Sequence, residues 1–218
     1  MNPYRCVLFD FDGTLADSYA AITASVNHVL HYRGKPELPE SIVRTKVGFG
    51  LQQLMKDLLP DSDPEENAVI YRQHHPSVMF SHTRLLPGAI ELLQRLKEEG
   101  IPSGVCSNKP QAITRQLVNS LNVAEFFSVV MGPEDVPHPK PAPDMLLAAM
   151  HRLSKEKSET LFVGDMTIDL ETARAAGVEV WLVATGSHDW DTLEKAHPDR
   201  LLNDLNSVRH HLFPVLLA

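Results

Sequence analysis

Cysteine is nearly missing from this chain of 218 residues: Cys6 and Cys106 are its only two. Both fall inside apolar, strand-like segments. They read as buried free thiols rather than a disulfide framework, and a reducing, cytoplasmic location is the expectation. Long apolar runs are missing too, and no stretch approaches membrane-spanning length. The opening Met1-Asn2-Pro3-Tyr4-Arg5-Cys6 has neither the apolar core nor the small-residue cleavage site of a secretory signal. Positive charge is in deficit, with 20 Lys and Arg against 28 Asp and Glu, a formal net charge of -8. That balance argues against a broad electrostatic grip on nucleic acid or on an anionic membrane. A small anionic substrate stays open, because local cations can dominate inside a closed pocket. What is present, 43% hydrophobic and 22% charged residues, suits a globular protein of one domain or two small ones with a substantial core.

The apolar pattern divides the chain in two. Tyr4 to Asp10 predicts a short strand, with Gly13 close behind it. Asp17 to Tyr32 predicts a helix closed by Gly34. Leu51, Leu54, Met55, Leu58 and Leu59 follow helical spacing, and Pro60 with the Asp61-Ser62-Asp63-Pro64 cluster marks a break and a new helix running to about His82. The stretch from Ala16 to Leu85 is therefore expected to be all-helical, without a strand. After Pro87-Gly88 strands and helices alternate: a helix ending at Gly100, a strand at Ile101 to Cys106, a helix around Leu117, a strand at Phe127 to Met131. A helix at Asp144 to Leu153, a strand at Leu161 to Val163, a helix ending at Gly177 and a strand at Val178 to Ala184 follow. Such alternation implies a Rossmann-like, doubly wound parallel sheet, an α/β core made of residues 1–15 and 86–218. Residues 16–85 then form an inserted helical cap domain.

In open α/β sheets ligands bind beyond the carboxyl ends of the strands, and polar residues stand at each predicted end. The first strand ends in Asp10, Asp12, Gly13 and Thr14; the second in Ser107, Asn108 and Lys109. After a loop, Lys140 follows the third, and the fourth ends in Gly164, Asp165 and then Asp169. Converging carboxylates repel one another and raise each other's pKa values, so the set calls for a cation. All-oxygen donors without a thiolate or histidine cluster favour a hard ion, magnesium before zinc. A lysine and a hydroxyl beside that ion suit a phosphate.

These residues resemble a known family. Asp10-Phe11-Asp12-Gly13-Thr14-Leu15-Ala16-Asp17-Ser18 is similar to the first motif of the haloacid dehalogenase superfamily in its phosphatase form. Ser107 matches the second motif, Lys140 in Lys140-Pro141-Ala142-Pro143 the third, and Gly164-Asp165 with Asp169 the fourth. All four occur in order and cover nearly the whole chain. The helical insertion resembles the cap of the subgroup holding phosphoglycolate phosphatase and β-phosphoglucomutase. Lys46-Val47-Gly48-Phe49-Gly50 and Ala173-Arg174-Ala175-Ala176-Gly177 look most like the phosphoglycolate phosphatase-like branch.

The resemblance implies a magnesium-dependent phosphatase for small phosphate monoesters. Asp10 would be the nucleophile and form an aspartyl-phosphate. Asp12 would be the general acid and then the base, and its presence separates the phosphatase branch from the dehalogenases. Ser107 and Lys140 would complete the catalytic set. Gly13, Thr14, Ser107, Asn108 and Lys140 would bind substrate. Asp10, Asp12 (through its main-chain carbonyl) and Asp165 would hold Mg2+, while Asp169 would be a further ligand or, the favoured role, would orient Lys140 or a water. A β-phosphoglucomutase-type mutase is the alternative, and a non-catalytic phosphate-binding regulator ranks below it. The partner expected is a small phosphorylated metabolite, with no nucleic acid or membrane, for a monomer or homodimer. In the cap, Arg44 and Lys46 are candidates for a substrate carboxylate, with a solvated face an equal reading. The histidine pairs His74-His75 and His210-His211 lack the spacing of metal ligands.

Overall fold

The computed structural model describes residues 3–214, so the outermost ends of the expected core lie outside the described residues. Six strands form one sheet: β1 (Cys6–Phe9), β4 (Ser103–Cys106), β5 (Phe127–Met131), β6 (Thr160–Gly164), β7 (Glu179–Val183) and β8 (Arg200–Leu202). Their order is β5-β4-β1-β6-β7-β8 and every pairing is parallel. The doubly wound α/β core therefore matches the sequence reading, with the first strand at the centre.

Parallel strands need crossover helices, and these cover both faces. On one face α5 (Ala89–Glu98), α6 (Gln111–Ser120) and α10 (Leu205–Leu212) bury Leu92, Leu96, Leu117 and Val208 against Val7, Phe9, Val105 and Val163. On the other, α7 (Asp144–Leu153), α8 (Thr167–Ala176) and α9 (Trp190–Lys195) bury Met145, Leu170, Ala173 and Leu193 against Cys6, Leu8, Cys106 and Phe162. Alternate residues of β1 thus enter different cores, which is why its sequence reads as an unbroken apolar run. Both cysteines are buried and free.

Between the first and second core strands lie α1 (Tyr19–Tyr32), α2 (Glu40–Arg44), α3 (Leu51–Leu58) and α4 (Pro64–His74). They share a core of their own built on Val26, Val29, Val43, Leu54, Met55 and Ala68. Asp63 caps α4 by accepting from the Glu65 N–H, with Pro64 in the first helical turn. One expectation is corrected here. The segment is not free of strands, because β2 (Ala16–Asp17) pairs antiparallel with β3 (Arg84–Leu85) where the chain leaves and re-enters the sheet region. Two-residue strands are shorter than any alternating pattern can register.

Candidate active site

The expected residues gather at the carboxyl edge of the sheet, on the loops that follow its strands and, for Asp169, in the first turn of α8. Asp10 follows β1 directly and is 4% exposed. Ser107 and Asn108 follow β4, Asp165 follows β6, and Asp169 lies one turn into α8. Neighbouring parallel strands end side by side, so residues distant in sequence meet. Oxygens of Asp10, Asp165 and Asp169 lie within 4.8 Å of one another.

A single cation stands among these three carboxylates. Lys140 Nζ lies 2.9 Å from Asp10 Oδ1 and 2.7 Å from Asp169 Oδ1. Burial alone would lower its pKa, but Asp10 and Asp169 outweigh burial and hold the ammonium above its usual value. Burial, then Asp169 and Asp10, pushes the Asp165 carboxyl well above the ordinary range. Burial raises Asp169 as well, against the pull of Lys140. Three buried carboxylates against one ammonium leave an excess of negative charge, and Asp10 Oδ1 receives no aligned hydrogen bond although Lys140 is close. The oxygen-only donor set with an orphaned carboxylate oxygen fits a hard divalent ion.

The carboxylate oxygens of Asp165 and Asp169 are tied down. Asp165 accepts from the Thr14 hydroxyl at 2.8 Å and from the Ser187 N–H at 2.8 Å. Asp169 Oδ2 accepts the main-chain N–H groups of Asp165 and Met166 at 3.1 and 3.0 Å, while its Oδ1 takes Lys140. Both Asp169 oxygens are thus occupied by protein donors. Gly186 packs so closely on Asp165 that a Cβ there would overlap the carboxylate.

Asp12 belongs to a separate cluster. Its carboxylate accepts the Ser18 hydroxyl, and Lys109 Nζ lies 3.1 Å from both oxygens. Asn108 spends its side chain on protein: the amide donates to Lys140 O and Gly48 O at 3.1 Å each and accepts from Lys140 N at 3.1 Å. Thr14 bonds Asp165, and Gly13 (φ +85°) accepts the Thr185 hydroxyl on its carbonyl at 2.7 Å.

A cavity of about 120 Å³ opens above Asp10, Asp12, Ser107 and Lys109. Its far wall comes from the helical segment: Ile22, Val47, Leu54, Tyr71 and His75 among others. His75 is buried, with Nδ1 3.0 Å from Ser25 Oγ. The Ser25 hydroxyl donates to Ala21 O, so the histidine nitrogen is the donor in that pair. Burial, helped by Lys109 and His74, lowers the His75 pKa to about 3. Arg44, expected to face either substrate or solvent, does neither. Its guanidinium donates to Gly186 O at 3.0 Å and Thr185 O at 2.6 Å and lies 4.1 Å above the Tyr19 ring.

Lys109, Ser18, His75, Arg44 and Ser187 were therefore outside the sequence-derived roles or misplaced within them. Single polar residues in loops carry no periodic signal. Lys109 follows Ser107 and Asn108, and Ser18 closes the first motif, but neither place by itself assigns a role.

A doubly wound parallel sheet with buried carboxylates and a lysine at its carboxyl edge, beside a separate helical layer, defines an α/β protein with a cation- and anion-binding edge. Comparison with known proteins makes this specific. Residues 7–183 match the family model of haloacid dehalogenase-like hydrolases, and the chain belongs to that family. A phosphoglycolate phosphatase of Yersinia pseudotuberculosis is 32% identical over 205 residues, 91% of this chain and 88% of that protein. A phosphoglycolate phosphatase of Escherichia coli K12 is 30% identical over 228 residues, 94% and 90% of the two chains. A solved structure from Bacteroides fragilis, described as a haloacid dehalogenase-like hydrolase, superposes with a TM-score of 0.89 at 31% identity, covering 94% of this chain and 99% of that one. The chain is a phosphatase of the phosphoglycolate phosphatase-like kind.

Proposed function

We propose that the chain hydrolyses small phosphate monoesters with magnesium, through an aspartyl-phosphate on Asp10, beneath a cap formed by residues 16–85. The carrying observation is the difference in surroundings between two carboxylates two residues apart. Asp10 lies in the charge-rich cluster with an oxygen lacking an aligned donor, while Asp12 lines the cavity within a neutral pair. In this reading Asp10 Oδ attacks phosphorus as the bond to the leaving oxygen breaks, which splits one slow displacement into two. Asp12 gives its proton to the leaving oxygen, then takes one from the water that releases inorganic phosphate.

Magnesium held by Asp10, Asp165 and the Asp12 main-chain carbonyl would supply positive charge to the phosphate oxygens. Lys140, hydrogen-bonded to Asp169 and 2.9 Å from Asp10 Oδ1, adds a fixed charge at the nucleophile. Asp169, both of whose oxygens already meet protein donors, orients Lys140. Asn108 holds the Lys140 main chain and the Gly48 loop, Ser107 faces the phosphate, and Thr14 steadies Asp165.

Small monoesters suit the cavity volume, and phosphoglycolate stands first by likeness to the named relatives. A sugar phosphomutase is the weaker reading, because a wall of Ile22, Val47, Leu54 and Tyr71 offers few partners to sugar hydroxyls. Turnover of p-nitrophenyl phosphate tests the proposal. Activity should require magnesium, vanish with a chelator, and fall at least about a thousandfold in Asp10→Asn. Turnover indifferent to either change would sink it.

A further inference from the structure

Lys109 has no role in the reaction as set out above, yet its placement is costly. Its side chain is 7% exposed and Asp12's is 11%. Withdrawing an ammonium from water costs several kcal/mol unless it is well paired. The pairing is nearly symmetric, 3.1 Å to each Asp12 oxygen, and among the described residues Asp12 is its one salt-bridge partner. Its main chain is pinned as well. The Lys109 N–H donates to Ser107 Oγ at 3.3 Å, and Pro110 then leads into α6. The ammonium therefore reaches from the end of β4 to a carboxylate just past β1, from a fixed base. The Ser18 hydroxyl, in the linker just before α1, fixes the same carboxylate from another side.

We infer that Lys109 is a positioning residue acting through Asp12, holding the plane of that carboxylate toward the leaving-group oxygen. The inference rests on the reading of Asp12 as proton donor. In the substrate complex one Asp12 oxygen carries a proton while the other keeps its contact with Lys109. As the phosphorus–leaving oxygen bond breaks and the Asp10–phosphorus bond forms, that proton passes to the leaving oxygen, so the donor must stand at the right place when the bond is half broken. A carboxylate free to rotate would miss it, since misplacement by about 1 Å costs on the order of a hundredfold in rate. The competing role, a cation that grips the phosphate or a substrate carboxylate directly, fits the geometry less well. Lys109 turns to both Asp12 oxygens, and Lys140 already supplies the ammonium beside Asp10.

Leaving-group chemistry separates the two. A p-nitrophenolate departs without a proton, whereas an alkoxide needs one, and kcat/KM reports the step in which it leaves. Lys109→Met should lower kcat/KM for ethyl phosphate by about a hundredfold, within the range of general-acid effects, and for p-nitrophenyl phosphate by less than about fivefold. Asp12→Asn should show the same contrast, and Lys109→Arg should recover part of the ethyl phosphate loss. The Asp12→Asn, Lys109→Met double variant should be no slower on ethyl phosphate than Asp12→Asn alone, because Lys109 would have nothing left to position. This variant removes both partners of the buried pair, so it remains informative should Lys109→Met fold poorly. Equal losses on the two esters, or losses that multiply in the double variant, would overturn this role and leave the reaction on Asp10 standing. Wild-type turnover unaffected by Asp10→Asn would instead bring down the reading beneath it.

Discussion

At the scale of single residues, the site rests on carboxylates whose partners come from different strand ends. Asp165 is the clearest case, with Thr14, Ser187 and the close approach of Gly186 all serving one carboxylate. His75 shows the opposite economy, a buried group kept neutral. Its pKa falls to about 3 in the folded protein against an ordinary 6.5. Between those values the unfolded chain binds a proton that the folded chain does not, so stability is lost as pH falls below about 6.5, by up to about 1.4 kcal/mol per pH unit from this group. Above that range His75 contributes no pH dependence. His75→Gln should therefore close its stability gap to wild type, or pass it, when melting temperatures are compared between pH 7 and pH 4.5. Parallel curves for the two proteins would contradict the neutral, buried assignment. Asp10, Asp12 and Asp165 stood out in the sequence because each closely follows an apolar run that announces a strand, and Lys140 through its place in the motif series. His75, Ser18 and Lys109 did not, because what places them is the meeting of chain segments up to 97 residues apart, as in the Lys109–Asp12 pair.

Among the elements, the helical segment and the sheet meet at a few defined points. The Gly48 loop is held by Asn108 and packs against Met166 so tightly that a Cβ would collide with its sulfur. Gly48 also has φ +119°, a conformation that side chains resist. Arg44, at the end of α2, ties this layer to the loop after β7. Hydrogen bonds from a charged group are worth about 1.5–3 kcal/mol each. Arg44→Met, which keeps apolar cover over Tyr19 but loses both bonds, should raise KM for small esters about tenfold with a smaller change in kcat. An unchanged KM would show that these contacts do not govern closure over the cavity. The long elements were readable from periodicity, and β5 and α7 fall on the residues expected. The strands β2, β3 and β8 and the helix α2 span only two to five residues. At that length tertiary pairing, not pattern, decides the structure. Of the two C-terminal helices, α9 buries only Leu193, and α10 repeats Leu205, Val208 and Leu212 at helical spacing over just eight residues.

For the molecule as a whole, alternating strands and helices were enough to point to an α/β fold, while a net charge of -8 left a small anionic substrate open. The cavity between sheet edge and helical layer, and its mainly apolar far wall, was not readable from sequence, since it is the space left by two separately packed cores. Among the described residues no helix is long and apolar enough to cross a membrane. Everything in the proposed reaction converges on one covalent event at the end of the central strand. Its most direct measurement is acid quenching during turnover of p-nitrophenyl phosphate with magnesium, followed by mass spectrometry of the peptide that carries Asp10 and Asp12. One added phosphoryl group on Asp10, absent from Asp12 and absent without substrate, is the expected result. A peptide that stays unmodified while turnover proceeds, or a phosphoryl group on any other residue, would contradict it.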